Sequence, residues 1–182
     1  MPWPGWRRKL VRKVERYPVE GPNSLWQIYS SVSFVKGVRN FIFIQLARYC
    51  PVLSWKNGIY RHVLGMKVGE YTAFGLMAMV DVFFPERITI GRNSIIGYNT
   101  TILTHEYLVR EYRLGDVIIG DDVMIGANCT ILPGVTIGDG AVVSAATLVH
   151  KDVPPGAFVG GNPMQVLKRA ANQVDGKIDE GQ

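Results

Sequence analysis

Two cysteines among 182 residues, Cys50 and Cys129, are too few for a disulfide framework and lack the spacing of a metal site. Histidine is almost as scarce, and His62, His105 and His150 stand apart from one another. Long apolar runs are missing as well. The most apolar window, Phe41–Leu46, is flanked by Arg39, Asn40 and Arg48 and falls far short of a membrane span. At the N-terminus Arg12, Lys13, Glu15 and Arg16 interrupt the apolar residues Leu10, Val11 and Val14, so a signal peptide is not expected and a cytoplasmic protein is. Charged residues make up only 19% of the chain, with a net charge of +5 concentrated in the Trp3–Arg16 stretch and the Lys168–Arg169 pair. That balance suits an anionic ligand or surface, and no nucleic-acid motif accompanies it. Apolar residues, at 47%, are enough for the core of one domain with a small subdomain.

What the chain has in abundance is rhythm. Ile90, Ile96 and Ile102 recur every six residues, and Ile119, Ile125, Ile131, Ile137, Val143 and Val149 resume the count. One place on stand Gly91, Gly97, Gly120, Gly126 and Gly138; four places on stand small or β-branched residues from Ser94 to Val153. Such an internal repeat takes precedence over local propensity. Side chains alternate faces along a strand, so six residues make one short strand and a corner. Three such flats close a triangular coil of about 18 residues, and coils stack at the strand spacing of about 4.8 Å. Corners favour residues that tolerate φ > 0, and the fourth place of successive hexads reads Asn93, Asn99, His105, Asp122, Asn128, Gly134, Gly140, Ala146 and Asp152.

Around this coil the chain divides into residues 1–65, an N-terminal basic arm and helical segment; 66–163, the repeats; and 164–182, a short C-terminal helix and tail. Residues 1–23 read as an irregular segment leading through a short basic helix to Gly21–Pro22. Its mixed aromatic and basic residues allow weak contact with a membrane surface, but without a long apolar helical face the favoured reading is an arm docked on the domain. From Asn23, a cap, apolar residues at helical spacing run to Tyr49, with Gly37 as a break between two helices. That stripe is expected to pack on the open end of the coil. A second helix is expected near Trp55–Leu64, with His62 on its surface or in packing. Val68, Phe74 and Val80 begin the first coil, and the ten residues from Val80 to Ile90 demand a bulged corner near Pro85, where Asp81 either faces a site or serves the turn. Between Ile102 and Ile119, eleven extra residues leave the coil after His105 as a loop over about 106–117. Pro154 and Pro155 end the regular coils, and Met164–Ala171 reads as the short helix.

These hexads, in phrases such as IGDDVMIGANCTILPGVTIGDGAVV, resemble the hexapeptide-repeat acyltransferases over roughly residues 66–169. The resemblance implies a mainly β fold, a left-handed parallel β-helix. It also implies transfer of an acetyl group from acetyl-CoA to a hydroxyl acceptor, with no metal and no acyl-enzyme. In that family a histidine at the loop junction is the general base, which implies this role for His105; imidazole suits proton transfer near neutral pH. Backbone N–H groups at Gly126 and Ala127 match the oxyanion donors. Ala145, His150 and Lys151 match the pantetheine groove, and Lys168 with Arg169 the contacts to CoA phosphates. The family builds its sites between the chains of a homotrimer. The sequence is similar to galactoside and maltose O-acetyltransferases but departs from them: Phe74, Gly75 and Leu76 replace the region of their acceptor-pocket asparagine, their histidine lies two residues later relative to the coil, and Gln165 stands where they have a basic residue. The acceptor therefore stays open among saccharide, amine and antibiotic. Two other readings are a zinc enzyme like the γ-carbonic anhydrases, which needs a histidine pair five apart that this chain lacks, and a non-catalytic scaffold.

Overall fold

The computed structural model describes residues 12–168. Each hexad forms a strand of two or three residues and a corner, and the strands stack into three parallel faces. The first face holds Lys67–Val68, Ile88–Ile90, Val117–Ile119 and Thr136–Ile137; the third holds Met79–Val80, Thr101–Ile102, Thr130–Ile131 and Leu148–Val149. On the second, Ala73–Phe74, Ile95–Ile96, Met124–Ile125, Val142–Val143 and Phe158–Gly160 run parallel. Pairing register sets like on like, for example Val80 on Ile102, Ile102 on Ile131 and Ile131 on Val149. The aliphatic places thereby become dry interior columns. The column four places on is also buried, and its hydroxyls bond to backbone: Ser94 Oγ donates to Gly120 O and Thr100 Oγ1 to Gly126 O, both at 2.9 Å.

Corners follow the composition that positive φ favours. Asn93, Asn99, Asp122, Asn128 and Ala146 are left-handed, as are Gly134 and Gly140, and Asn99 Nδ2 donates to Asn128 Oδ1 at 2.9 Å from one coil to the next. The glycine place answers to crowding: a Cβ on Gly126 would stand 2.5 Å from Ala145 N. Past Val149 the prolines shorten one corner without ending the coils, because Val153 bridges to Ile137 and Val159 pairs with Val143, forming part of a fifth turn.

The N-terminal helices close the other end. After a 3₁₀ turn at Ile28–Ser30 comes α1, Phe34–Tyr49, then α2, Leu53–Gly58, which continues as a π turn, Ile59–Val63. Asn23 does cap the first turn, accepting from Trp26 N at 3.1 Å. Gly37, however, lies inside α1. The break falls before Phe34 instead, where Ser30 and Ser31 turn their hydroxyls onto Gln27 O and Ile28 O. The first coil would otherwise present bare carbonyls. Lys56 Nζ donates to Phe74 O and Gly75 O at 3.0 Å, Asn57 Nδ2 to Thr72 O at 2.7 Å, and Arg61 to Val68 O and Gly69 O at 2.7 Å. The expected packing of the apolar stripe holds for only one side of α1: Asn40, Ile44 and Ala47 are buried, while Val35, Val38, Ile42, Leu46 and Tyr49 on the opposite side are exposed.

Two further expectations are corrected. Residues 15–18 form a strand, not a basic helix, and pair antiparallel with Glu111–Leu114, which in turn pairs with His105–Tyr107. The excursion from the coil is thus an ordered hairpin with the N-terminal arm as its third strand, anchored by an Arg12–Glu106 ion pair at 2.8 Å. Gln165–Lys168 is a strand antiparallel to Phe158–Gly160, not a helix, because the sheet edge there supplies backbone partners to a segment confined by Pro163. Arg169 and residues 1–11 lie outside the described residues, and among those described no helix is long and apolar enough to cross a membrane.

Candidate active site

His105 opens the hairpin where the chain leaves the third face. It is not among the positive-φ residues, so the corner does not select it for conformation. Its ring Nδ1 lies 2.6 Å from Asp81 Oδ2, with the Asp81 side chain fully buried and that of His105 16% exposed. Asp81 sits one coil earlier, immediately after Val80, whose partner is Ile102, so stacking brings it beneath the junction. Its other oxygen, Oδ1, accepts from Phe83 N and Phe84 N at 2.9 Å, and Oδ2 also accepts from Thr104 N at 2.7 Å. Asp81 therefore serves both the turn and the site. Burial pushes its carboxyl up, but the His105 hydrogen bond and charge, with the Phe84 and Thr104 amides, outweigh burial and hold it below the usual value.

A carboxylate held ionised against Nδ1 fixes the imidazole tautomer with the proton on Nδ1, leaving Nε2 as the basic atom. Aromatic rings wall the imidazole: Phe83 at 5.0 Å and Tyr107 at 5.1 Å between centroids, with Phe84 at 6.3 Å. Tyr107 is held in turn by Ser31, oxygen to oxygen 3.2 Å, and burial raises its phenol. Phe83 also lines a groove of about 280 Å³ whose other wall includes Tyr29, Val38 and Phe41.

The remaining candidates divide between two edges of the prism. Gly126 and Ala127 form the corner between the second and third faces, stacked against Ala145 in the next coil. The Gly126 N–H donates to Val143 O at 2.8 Å, so the expectation of an oxyanion donor narrows to Ala127, which donates no hydrogen bond among the described residues. His150 and Lys151 follow Leu148–Val149 on the edge that also carries His105, two coils further on, with His150 Nδ1 3.2 Å from Leu148 O. Lys168 is exposed on the last strand. His105 and the Ala127–Ala145 corner thus occupy different edges of the chain. Sequence reasoning left the imidazole's partner unnamed, although the stacking rule places residue 81 one coil from residue 103. Phe83 and Tyr107 had no such signal, because the bulge and the hairpin that orient them fall outside the repeat. Among the described residues no three His, Cys, Asp or Glu side chains cluster as metal ligands.

A model described as the hexapeptide repeat of succinyl-transferase matches residues 116–150. The chain is 66% identical over 157 residues to "Putative acetyltransferase YvoF" of Bacillus subtilis (strain 168), covering 86% of this chain and 91% of that one. It belongs to the hexapeptide-repeat acyltransferases. Its coil is accordingly the left-handed β-helix of that family, and solved relatives share the architecture. A hexapeptide-repeat acetyltransferase of Vibrio cholerae O1 biovar eltor, complexed with acetyl coenzyme A, matches with a TM-score of 0.65 at 24% identity, covering 77% of this chain and 90% of that one. A maltose O-acetyltransferase of Clostridium difficile 630 matches with a TM-score of 0.57 at 22% identity, covering 75% and 87%.

Proposed function

We propose that this member of the family moves the acetyl group of acetyl-CoA to a hydroxyl of a saccharide acceptor, with His105 as the general base. The observation that carries this reading is the 2.6 Å bond from His105 Nδ1 to the buried Asp81 carboxylate. It leaves Nε2 free of the proton that a general base must lack. The acceptor oxygen attacks the thioester carbonyl while its proton passes to Nε2. The carbon–sulfur bond then breaks, and the same proton goes to the departing thiolate, so no acyl-enzyme forms. Negative charge on the carbonyl oxygen needs a preorganised donor, a role the Ala127 N–H suits. The rings of Phe83 and Tyr107 offer flat apolar walls to the C–H face of a sugar.

The split between two edges supports a homotrimer, in which the Ala127–Ala145 corner of one subunit meets His105 of its neighbour. In that arrangement the pantetheine runs past Gly126 and along Ala145, with His150 and Lys151 on the facing edge that also carries His105. Lys168 and Arg169 are positioned in sequence to meet CoA phosphates. Acetyl-CoA turnover against a panel of hydroxyl and amine acceptors, followed by thiol release, tests the reaction. His105→Ala is expected to lower kcat by about a thousandfold, and unchanged turnover with the best acceptor would remove His105 from the chemistry.

A further inference from the structure

Among the described residues nothing covers the outward side of α1. Val35, Val38, Ile42, Leu46 and Tyr49 recur at spacings of three and four, which places them on one side, and all are exposed, Val35 to 74%. Tyr49 ends the stripe, and two more exposed aromatic residues with polar ring N–H groups, Trp26 at 80% and Trp55 at 70%, lie in the flanking turn and helix. Large amphipathic rings of this kind favour a boundary between water and hydrocarbon. Charge is distributed with the same sense. Residues 21–69 contain six Lys or Arg and no Asp or Glu. Residues 70–168 hold six against ten, so among the described residues the helical segment is cationic and the coil region anionic.

Two occupants fit an apolar side, a second copy of the chain or a lipid surface, and charge decides between them. Two copies meeting through α1 would bring basic rims together, with no carboxylate in residues 21–69 to pair with them. An anionic bilayer supplies the missing charge and the hydrocarbon together. We infer that the outward side of α1 docks on an anionic membrane surface, the helix lying in the interface plane. At 16 residues and about 24 Å the helix is too short and too charged to cross. Docking does not depend on the acetyl-transfer reading, but it sets the membrane next to the active site, because Val38 of the exposed side also lines the groove that ends on Phe83.

The full-length protein mixed with phosphatidylcholine vesicles, with and without phosphatidylglycerol, and separated by flotation provides the test. Binding is expected only with phosphatidylglycerol, weakening with added salt and accompanied by a blue shift of tryptophan emission. The double variant I42E/L46E changes exposed positions outside the groove and is expected to partition at least about tenfold less while melting at the wild-type temperature. His105→Ala is expected to bind vesicles as wild type does, which separates docking from chemistry. No binding to anionic vesicles, equal binding to neutral ones, or full binding by I42E/L46E would overturn the proposal. So would a fall in the light-scattering mass of I42E/L46E to that of a smaller assembly, since the face would then be an interface between copies.

Discussion

At the residue scale, the pair Asp81–His105 separates conformation from chemistry. His105 has an ordinary φ, so replacing it relieves no strain, and His105→Ala is expected to keep most of the melting temperature while losing turnover. Asp81 is different because it carries three backbone N–H groups as well as the imidazole. Asp81→Asn preserves size but replaces one acceptor with a donor and frees the tautomer; kcat is expected to fall by roughly a hundredfold or more, with KM for acetyl-CoA nearly unchanged in steady-state assays. The same residue makes stability depend on pH. Its folded-state carboxyl titrates below the usual value. Its contribution is therefore fully present above the unfolded-state value of about 4 and is lost as pH falls through the lower folded-state value. Thermal melts should show wild type losing stability below about pH 4 more steeply than Asp81→Asn, which starts lower at neutral pH. His105 was legible from sequence because it stood where the rhythm failed. Asp81 was visible only as an ambiguous corner carboxylate, because a carboxylate at a corner serves a turn as readily as a site, even though Val80 stacks on Ile102.

At the element scale, a stack of identical coils has no intrinsic end, and the helical cap supplies one. Lys56 is 1% exposed, and burial lowers its pKa, yet its Nζ still bridges two carbonyls of the second face. Lys56→Met would fill the same space and leave Phe74 O and Gly75 O without that donor. A loss of about 2 kcal/mol is expected, measured by denaturant melts. The glycine place predicts a larger effect deeper in the coil. Gly126→Val would drive its side chain into the Ala145 backbone, 2.5 Å from the first added carbon, and is expected to cost about 3 kcal/mol or more. Faces, columns and corners were legible because each hexad repeats one local solution. The hairpin, the N-terminal strand and the last strand were not, since Glu15–Pro18 and Gln165–Lys168 owe their conformation to sheet edges contributed by residues far away or already folded. The outer side of α1 shows the opposite failure: helical periodicity marked an apolar stripe, but only the fold reveals that two apolar sides exist and that one is covered.

At the scale of the whole molecule, the proposed homotrimer rests on the candidate residues lying on two edges of one chain, and complementation between variants tests it. Ala145→Trp would fill the groove assigned to pantetheine, and His105→Ala removes the base; each alone is expected to be nearly inactive. Co-expression of the two chains should restore activity if one site draws on both, because a mixed trimer pairs the intact corner of one chain with the intact histidine of the other. Activity no higher than that of either variant would place both groups in a single chain's site. The hairpin adds a constraint in time. Tyr17 stacks on Tyr112 at 4.7 Å, and its strand is the outer member of the sheet that begins at His105. During synthesis Tyr17 emerges roughly 95 residues before that partner, an interval of about 5 to 20 seconds at ordinary elongation rates. Coils can nucleate and propagate locally in the meantime. The strand Glu15–Pro18 thus waits unpaired while the first two coils are made, and the hairpin that opens at His105 meets an outer strand already synthesised, before the coils from Val117 onward exist.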